Sequence, residues 1–390
     1  MAYVLYLKKG EERRLLAGHA WVYANEVARI EGKDKNGALA EVRAHDGRFI
    51  GRGYINHLSK ILVRIFLRSE AEEEAAALER RIRAAVSLRK TLYGEENDCC
   101  RLIFAEADDL PALIVDRYGD VLVCELLSLG MDKRRELIAD ILERVCAPRG
   151  IYLRGDAPVR RKEGLPLENG VLRGEVPDTV VVHENGLAME VDVKRGQKTG
   201  YFLDQKENRL AVRRYCRGAR VLDCFCNSGG FSLNAAAVAK EVTAVDISPL
   251  ALEQVRANAA RNGFTNIRTV CADAFEQLRA FRAAGESFDC VILDPPAFCK
   301  SAAEVPGAYR GYKDVNISGM KLVRPGGFLV TCSCSHYMTM PLFEKMLRES
   351  ARDCARRAKI LDVRVQAPDH PALLAAEETS YLKVFILQVK

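Results

Sequence analysis

A chain of 390 residues has room for two or three domains of the usual ~100–200 residues, each with its own core. Its 48% hydrophobic and 29% charged residues are those of an ordinary globular protein, and no apolar run nears the ~18 residues of a spanning helix, so no membrane association is expected. The +6 net charge is concentrated: residues 1–70 hold 13 Lys and Arg against 8 Asp and Glu, the rest 46 against 45, which points to a basic N-terminal module and a polyanionic partner.

The N-terminal "MAYVLYLKKGEERRLL" is too short in its apolar part, and too soon charged, for a signal peptide, so a cytoplasmic protein is expected. Residues 1–70 carry the β-type runs "AWVYANEV", "ALAEVRA", "FIGRGYI" and "KILVRIFL", punctuated by glycines, as in a small β-barrel. Next, "SEAEEEAAALERRIRAAVSLRKTLY" predicts a helix capped by Ser69, with acids in its first turns and Lys/Arg in its last. "LPALIVDRYGDVLVCELLS" reads as two strands around "RYGD", and "MDKRRELIADILERV" as a second helix. "VVVHENGLAMEVDV" reads as a hairpin with Asn185-Gly186 in a type I′ turn. Residues 71–190 therefore predict a small α+β domain of the EEHEE type.

Over 191–390 the pattern alternates. The strands "RVLDCF", "EVTAVD", "IRTVCA", "FDCVILD" and "GFLVTCS" are separated by the helices "GFSLNAAAVA", "PLALEQVRANAARNG", "AFEQLRAFRAA" and "KDVNISGMKLV". Such alternation predicts a Rossmann-like α/β domain, a parallel sheet with helices on both faces and its ligand at the carboxyl ends of the strands.

Four acids stand at four successive strand ends: Asp223, Asp246, Asp273 and Asp294. Each alone could merely cap the next helix. Together, with Gly229 and Gly230 opening the helix after Asp223, they suit a ligand with a ribose, an adenine and a positive charge. The turn is neither G-x-G-x-x-G nor a P-loop, which counts against dinucleotides and nucleoside triphosphates.

The 13 cysteines are scattered and odd in number, as expected of thiols in a reducing compartment. The C-x-C pairs Cys224/Cys226 and Cys332/Cys334 lack zinc spacing, so no metal is expected. Cys332 and Cys334 close an apolar strand. A thiol there either fills the core or acts as a nucleophile. Methylating pyrimidine C5 calls for one, because thiolate addition to C6 makes C5 nucleophilic; amine or guanine N7 methylation does not.

These motifs resemble class I S-adenosylmethionine-dependent methyltransferases. More closely, "ERRLLAGHAWVYANEV", "GRFIGRGYIN", "RGQKTGYFLDQKENR", "RGYKDVN" and "DHPALLAAEETSYLK" resemble the bacterial large-subunit rRNA cytosine-C5 methyltransferases with an N-terminal PUA domain. The resemblance covers nearly the whole chain. It implies a PUA-like domain at 1–70, the α+β domain at 71–190 and the catalytic domain at 191–390, with S-adenosylmethionine as cofactor and 23S rRNA as partner. A homodimer stays open.

The resemblance places Asp223, Phe225, Asn227, Gly229, Asp246, Asp273 and Asp294 around the cofactor. It makes Cys334 the nucleophile, with Asp294 also catalytic, and leaves Cys332, Cys224, Cys226 and Cys290 as core thiols. His336 is a candidate to help form the thiolate. The cysteine of a D-x-P-C motif is absent from "DPPAF", and Cys299 comes two residues too late. Arg13, Arg14, Arg48, Arg52 and Lys198 are the candidates for holding RNA, mostly by phosphate and shape, with the target base flipped out or unpaired. The competing readings are an RNA uracil-C5 or guanine methyltransferase, and a non-catalytic RNA-binding factor on the same fold.

Overall fold

The computed structural model describes residues 3–33, 35–94 and 97–390. The chain gathers into two compact units. One comprises Met1–Val182, Val191–Leu203 and Pro368–Thr379; the other comprises His183–Glu190, Asp204–Ala367 and Ser380–Lys390.

In the first unit, β1 (Val4–Leu7), helix α1 (Glu12–Leu16), β2 (Trp21–Tyr23), β3 (Val27–Glu31), β4 (Leu39–Arg43), β5 (Phe49–Ile55) and β6 (Ile61–Leu67) come first. Their strands form a six-stranded sheet in the order β2-β6-β5-β4-β1-β3. Alternation sends Leu5, Leu7, Val42, Val63 and Ile65 into one core.

The following helix, α2 (Glu74–Tyr93), starts later than expected. Glu72 explains the delay: its carboxylate accepts from the Arg68 and Ser69 N–H groups at 2.7 and 3.3 Å, and the chain turns once before the helix begins. Then come β7 (Cys99–Phe104), β8 (Leu113–Tyr118), β9 (Val121–Leu126), α3 (Leu129–Asp132), α4 (Arg135–Cys146), β10 (Gly150–Gly155), α5 (Val159–Lys162) and β11 (Glu168–Gly174). They build a second sheet in the order β11-β10-β9-β8-β7.

The single helix expected over "MDKRRELIADILERV" is divided, because Arg134 leaves the helical conformation (φ −104°, ψ 14°) and its guanidinium bonds Glu74 at 2.6 Å. Tyr54, Phe66 and Leu67 of the first sheet share one core with α2, α4 and the second sheet. At Gly130 a Cβ would lie 2.2 Å from that of Tyr54, so only glycine fits there. β12 (Thr179–Glu184) and β13 (Leu187–Asp192) form the expected hairpin, with Asn185 (φ 56°) and Gly186 (φ 76°) both left-handed as a type I′ turn requires.

The second unit holds α6 (Lys206–Cys216), β14 (Arg220–Cys224), α7 (Gly230–Ala236), β15 (Glu241–Asp246), α8 (Pro249–Arg261), β16 (Ile267–Cys271), α9 (Ala274–Ala283) and β17 (Phe288–Leu293). α10 (Val305–Leu322), β18 (Val323–Ser333), α11 (Met340–Asp353), β19 (Ala358–Arg364) and β20 (Lys383–Val389) complete it. The sheet runs β16-β15-β14-β17-β18-β20-β19. The five expected strands are parallel. β20, which no alternation marked, lies antiparallel between β18 and β19. Both faces are buried: Leu222, Leu293, Leu329 and Phe385 pack on one side, Val221, Ile292, Val330 and Val384 on the other. The carboxyl ends of β14–β18 therefore open on a single rim.

Candidate active site

The loop after β14 is held in an uncommon shape. Phe225, Asn227 and Gly229 have φ of 62°, 48° and 87°, left-handed values that are strained for the two residues with side chains. Main-chain bonds fix them: Cys226 N–H donates to Val245 O at 3.1 Å, Gly229 N–H to Cys226 O at 2.8 Å, and Asn227 N–H to Asp246 Oδ2 at 2.9 Å. A Cβ at residue 229 would meet Val255 Cγ2 at 3.0 Å, so the glycine also lets α8 approach.

The four acids differ in role. Asp246 accepts from Asn227 N–H and from Ser248 N–H (2.9 Å), which orients its carboxylate at the end of β15. Asp273 caps α9, accepting from Glu276 N–H at 3.0 Å. Asp294 is half-buried and accepts from Gln205 Nε2 at 3.1 Å. Asp223 is fully buried; Ser232 Oγ donates to its Oδ2 at 2.6 Å, while Oδ1 has no hydrogen-bond partner. Burial pushes its carboxyl up to about 7, eased by Ser232 and aggravated by Asp294 and Asp246.

A buried carboxyl with one orphaned oxygen and a raised pKa fits a cationic ligand group. Ile247, which directly follows Asp246 and is 69% exposed, offers an apolar face to a purine. These residues suit S-adenosylmethionine: Asp223 and Gly229 for the methionine part, Asp246 for the ribose.

An aromatic chain leads away from the loop. Phe225, Phe275, Phe298 and Tyr312 follow one another at ring distances of 6.1, 6.0 and 4.6 Å. The Tyr312 and Ser335 hydroxyl oxygens lie 2.9 Å apart, and Ser335 follows Cys334. All 13 cysteines are free thiols. Cys224, Cys226, Cys290 and Cys332 are buried in the core, whereas Cys334 is half-exposed just past the end of β18. The Cys332 thiol is pushed well up by burial and, next, by the Asp294 carboxylate.

Two more residues of the sequence pattern lie near Cys334 in the chain or in space. Cys299, too late for the D-x-P-C motif, returns in space: its N–H donates to Ser335 Oγ at 3.2 Å. His336 is exposed, its ring edge-on to Tyr337. The buried cation is instead Lys383, whose Nζ donates to Ser335 O at 2.6 Å and Tyr381 O at 2.7 Å. Nothing marked Lys383 beforehand. A charge opening the apolar run "KVFILQV" is the one signal the sequence contains.

The five RNA-binding candidates all belong to the first unit. Arg13, Arg48 and Lys198 are exposed, the last with Nζ 4.4 Å from the Phe202 ring centre. Arg14 is spent internally on Glu26 (2.8 Å) and Trp21 O (3.1 Å), and Arg52 on the carbonyls of Glu70 and Glu72. No helix among the described residues is long and apolar enough to cross a membrane.

Comparison with known proteins identifies the families of both parts of the chain. Residues 5–68 match the family described as PUA-like domain, and residues 114–385 that described as S-adenosylmethionine-dependent methyltransferase. The chain is 42% identical to "Ribosomal RNA large subunit methyltransferase I" of Aeromonas salmonicida (strain A449), covering all of both chains. It is 40% identical to the protein of the same name from Klebsiella pneumoniae (strain 342), over 99% of this chain and 98% of the other. Among solved structures, a Streptococcus mutans protein assigned to the SAM-dependent methyltransferases shares the fold over the full length of both chains, with a TM-score of 0.84 at 21% identity.

Proposed function

We propose the reaction from an established premise: the chain belongs to the S-adenosylmethionine-dependent methyltransferase family, and S-adenosylmethionine is its cofactor. Its substrate is large-subunit ribosomal RNA, as the names of its full-length relatives indicate for those proteins. The atom methylated is C5 of a cytosine, and the work is cytoplasmic.

The observation that carries this reading is the half-exposed Cys334 at the carboxyl end of β18, on the same rim as Asp246 and Asp294. The cofactor supplies an electrophilic methyl group. The Cys334 thiolate forms a bond to C6, which makes C5 nucleophilic toward that methyl. Once C5 has taken the methyl, with the bonding pair left on the donor sulfur, the C5 proton passes to solvent and its C–H pair expels the Cys334 sulfur from C6 as thiolate. Asp294, held by Gln205, faces the base as its polar partner. Cys332 keeps its proton and serves packing. The PUA-like domain at 1–70 and the α+β domain at 71–190 grip RNA, with Arg13, Arg48 and Lys198 on phosphates, and present an unpaired or flipped base.

RNA carrying 5-fluorocytidine tests the reading, because fluorine blocks proton loss from C5. A covalent protein–RNA adduct should accumulate with cofactor present and be absent in Cys334→Ser. Methylation that survives Cys334→Ser would remove the covalent route and favour guanine or amine chemistry.

A further inference from the structure

Beside Cys334 lies a buried cation that the reaction just described leaves unused. Lys383 opens β20 opposite Ser333, the last residue of β18, and is only 5% exposed. Phe385 and Leu387, which alternate with it, pack on the opposite side of the sheet from Cys332 and Cys334. Its side chain meets the chain beyond the end of β18, where Nζ bonds Ser335 O.

The surroundings of Lys383 are thiol, hydroxyl and carbonyl. Two N–H bonds go to the Ser335 and Tyr381 carbonyls, neither of which neutralises the charge. From the loop after β17 comes Cys299, and from α10 the Tyr312 hydroxyl, which reaches Ser335. Asp204 accepts from Tyr381 Oη at 2.6 Å and Asp294 from Gln205, both neutral donors, and no carboxylate is among the groups that hold up the Lys383 charge. Burial drives the ammonium down to about 8, and the groups that hold it up, once ionised, are Cys334, first, and Cys299. A cation at neutral pH with thiols as its electrostatic partners stabilises a thiolate in return. Cys332 meets no such cation: burial and then the Asp294 carboxylate raise its pKa.

We propose that Lys383 positions and charges Cys334: its ammonium anchors the peptide that follows the cysteine, through Ser335 O, and supplies the positive field in which the sulfur rests as a thiolate. This deepens the reading of Cys334 as nucleophile and rests on it. The thiol proton leaves to solvent, Lys383 keeps its own, and the sulfur that attacks C6 is ionised before the base arrives. Lys383 acts through Cys334 and is a positioning residue.

The test is the pH profile of iodoacetamide alkylation of the full chain, read peptide by peptide. The exposed thiol of Cys271 serves as internal reference. In the unmodified protein, Cys334 should react with a midpoint below that of Cys271. In Lys383→Met the Cys334 midpoint should rise by about one pH unit, a tenfold loss of rate at pH 7, while that of Cys271 stays. Lys383→Arg should keep the low midpoint. Unaltered cofactor affinity and melting temperature show that the variants fold. A Cys334 midpoint at or above that of Cys271 in the unmodified protein overturns the proposal without any variant, as does a midpoint that ignores Lys383→Met. The fluorocytidine adduct separates the two ideas. An adduct with an unmoved midpoint sinks the lysine alone, whereas a lysine-dependent midpoint without any adduct sinks the covalent route alone.

Discussion

The rim of the seven-stranded sheet has two halves of opposite electrical character. At the ends of β14, β15 and β16 stand Asp223, Asp246 and Asp273, and the first is so buried that its carboxyl holds a proton up to about pH 7. At the ends of β18 and β20 stand a half-exposed thiol and a buried ammonium. Asp294, at the end of β17, lies between them and adds to burial in raising the pKa of Cys332. One half suits a ligand that brings positive charge, and the other suits a protein group that must become negative. The two thiols, two residues apart at the end of β18, thus meet different surroundings: Cys332 lies in the core, where burial and then Asp294 raise its pKa, and Cys334 precedes the serine whose carbonyl Lys383 bonds.

The largest effect should come from exchanging the two thiols. Cys334→Ser should lose methyl transfer by about a thousandfold or more, because a serine hydroxyl is hardly ionised at neutral pH. Cys332→Ser should keep most activity and lose stability, on the order of 1–3 kcal/mol for a hydroxyl in an apolar strand. Tritium transfer from labelled cofactor to RNA, beside thermal melts, reads both. If Cys332→Ser proved the inactive variant, the contrast between the halves would be drawn at the wrong sulfur.

Much of this rim was legible in the sequence, because its signals are local. Alternation of apolar runs gave β14 to β18, and the acids at their ends marked the acidic half of the rim. The thiol half was legible only for Cys334. Lys383 is 49 residues further along the chain and reaches Ser335 through an antiparallel pairing that no periodicity announces. Cys299 failed a spacing rule yet reached the same serine, because the loop after β17 folds back. The basic N-terminal stretch was legible as charge but not as geometry: Arg14 and Arg52 looked like Arg13 and Arg48 until their internal acceptors were visible.

The cofactor half should respond less steeply. Asp246→Ala removes a carboxylate that is fixed by two main-chain N–H groups and aimed at the rim. Calorimetry should show S-adenosylmethionine binding weakened by about 1–3 kcal/mol, the usual loss for charge-assisted bonds to a pair of hydroxyls. Unchanged affinity would remove Asp246 from the site and leave the acidic half without its clearest member.

Asp223 should reveal the sign of its half through pH. Its pKa is raised on folding from 3.8 to about 7, so its contribution to stability is full below about pH 3.8 and is lost as pH rises through 7. Asp223→Asn should flatten that part of the stability curve. A cationic ligand prefers the carboxylate, so cofactor affinity should climb with pH toward 7, at most tenfold per unit, and then level off. In Asp223→Asn that slope should vanish. A slope that survives would mean that another group titrates.

The smallest effects belong to the exposed arginines of the first unit, whose charge faces solvent. Arg13 and Arg48 are exposed, whereas Arg14 and Arg52 bond their own neighbours. Removing residues 1–70 outright would not isolate their role, since Tyr54, Phe66 and Leu67 belong to the core shared with α2 and the second sheet. Single substitutions do. Arg13→Ala and Arg48→Ala should each lower the slope of log affinity against log salt by about one, weaken RNA binding alike on all sequences, and leave melting unchanged. Arg14→Ala should do the opposite, lowering the melting temperature because Glu26, which also accepts from Tyr23 N–H at 2.8 Å, keeps a nearly buried carboxylate without its cation. Filter binding across a salt series, beside melts of the same preparations, distinguishes the two pairs. If Arg13 and Arg48 altered only melting, the phosphate-facing surface would have to lie elsewhere on this unit.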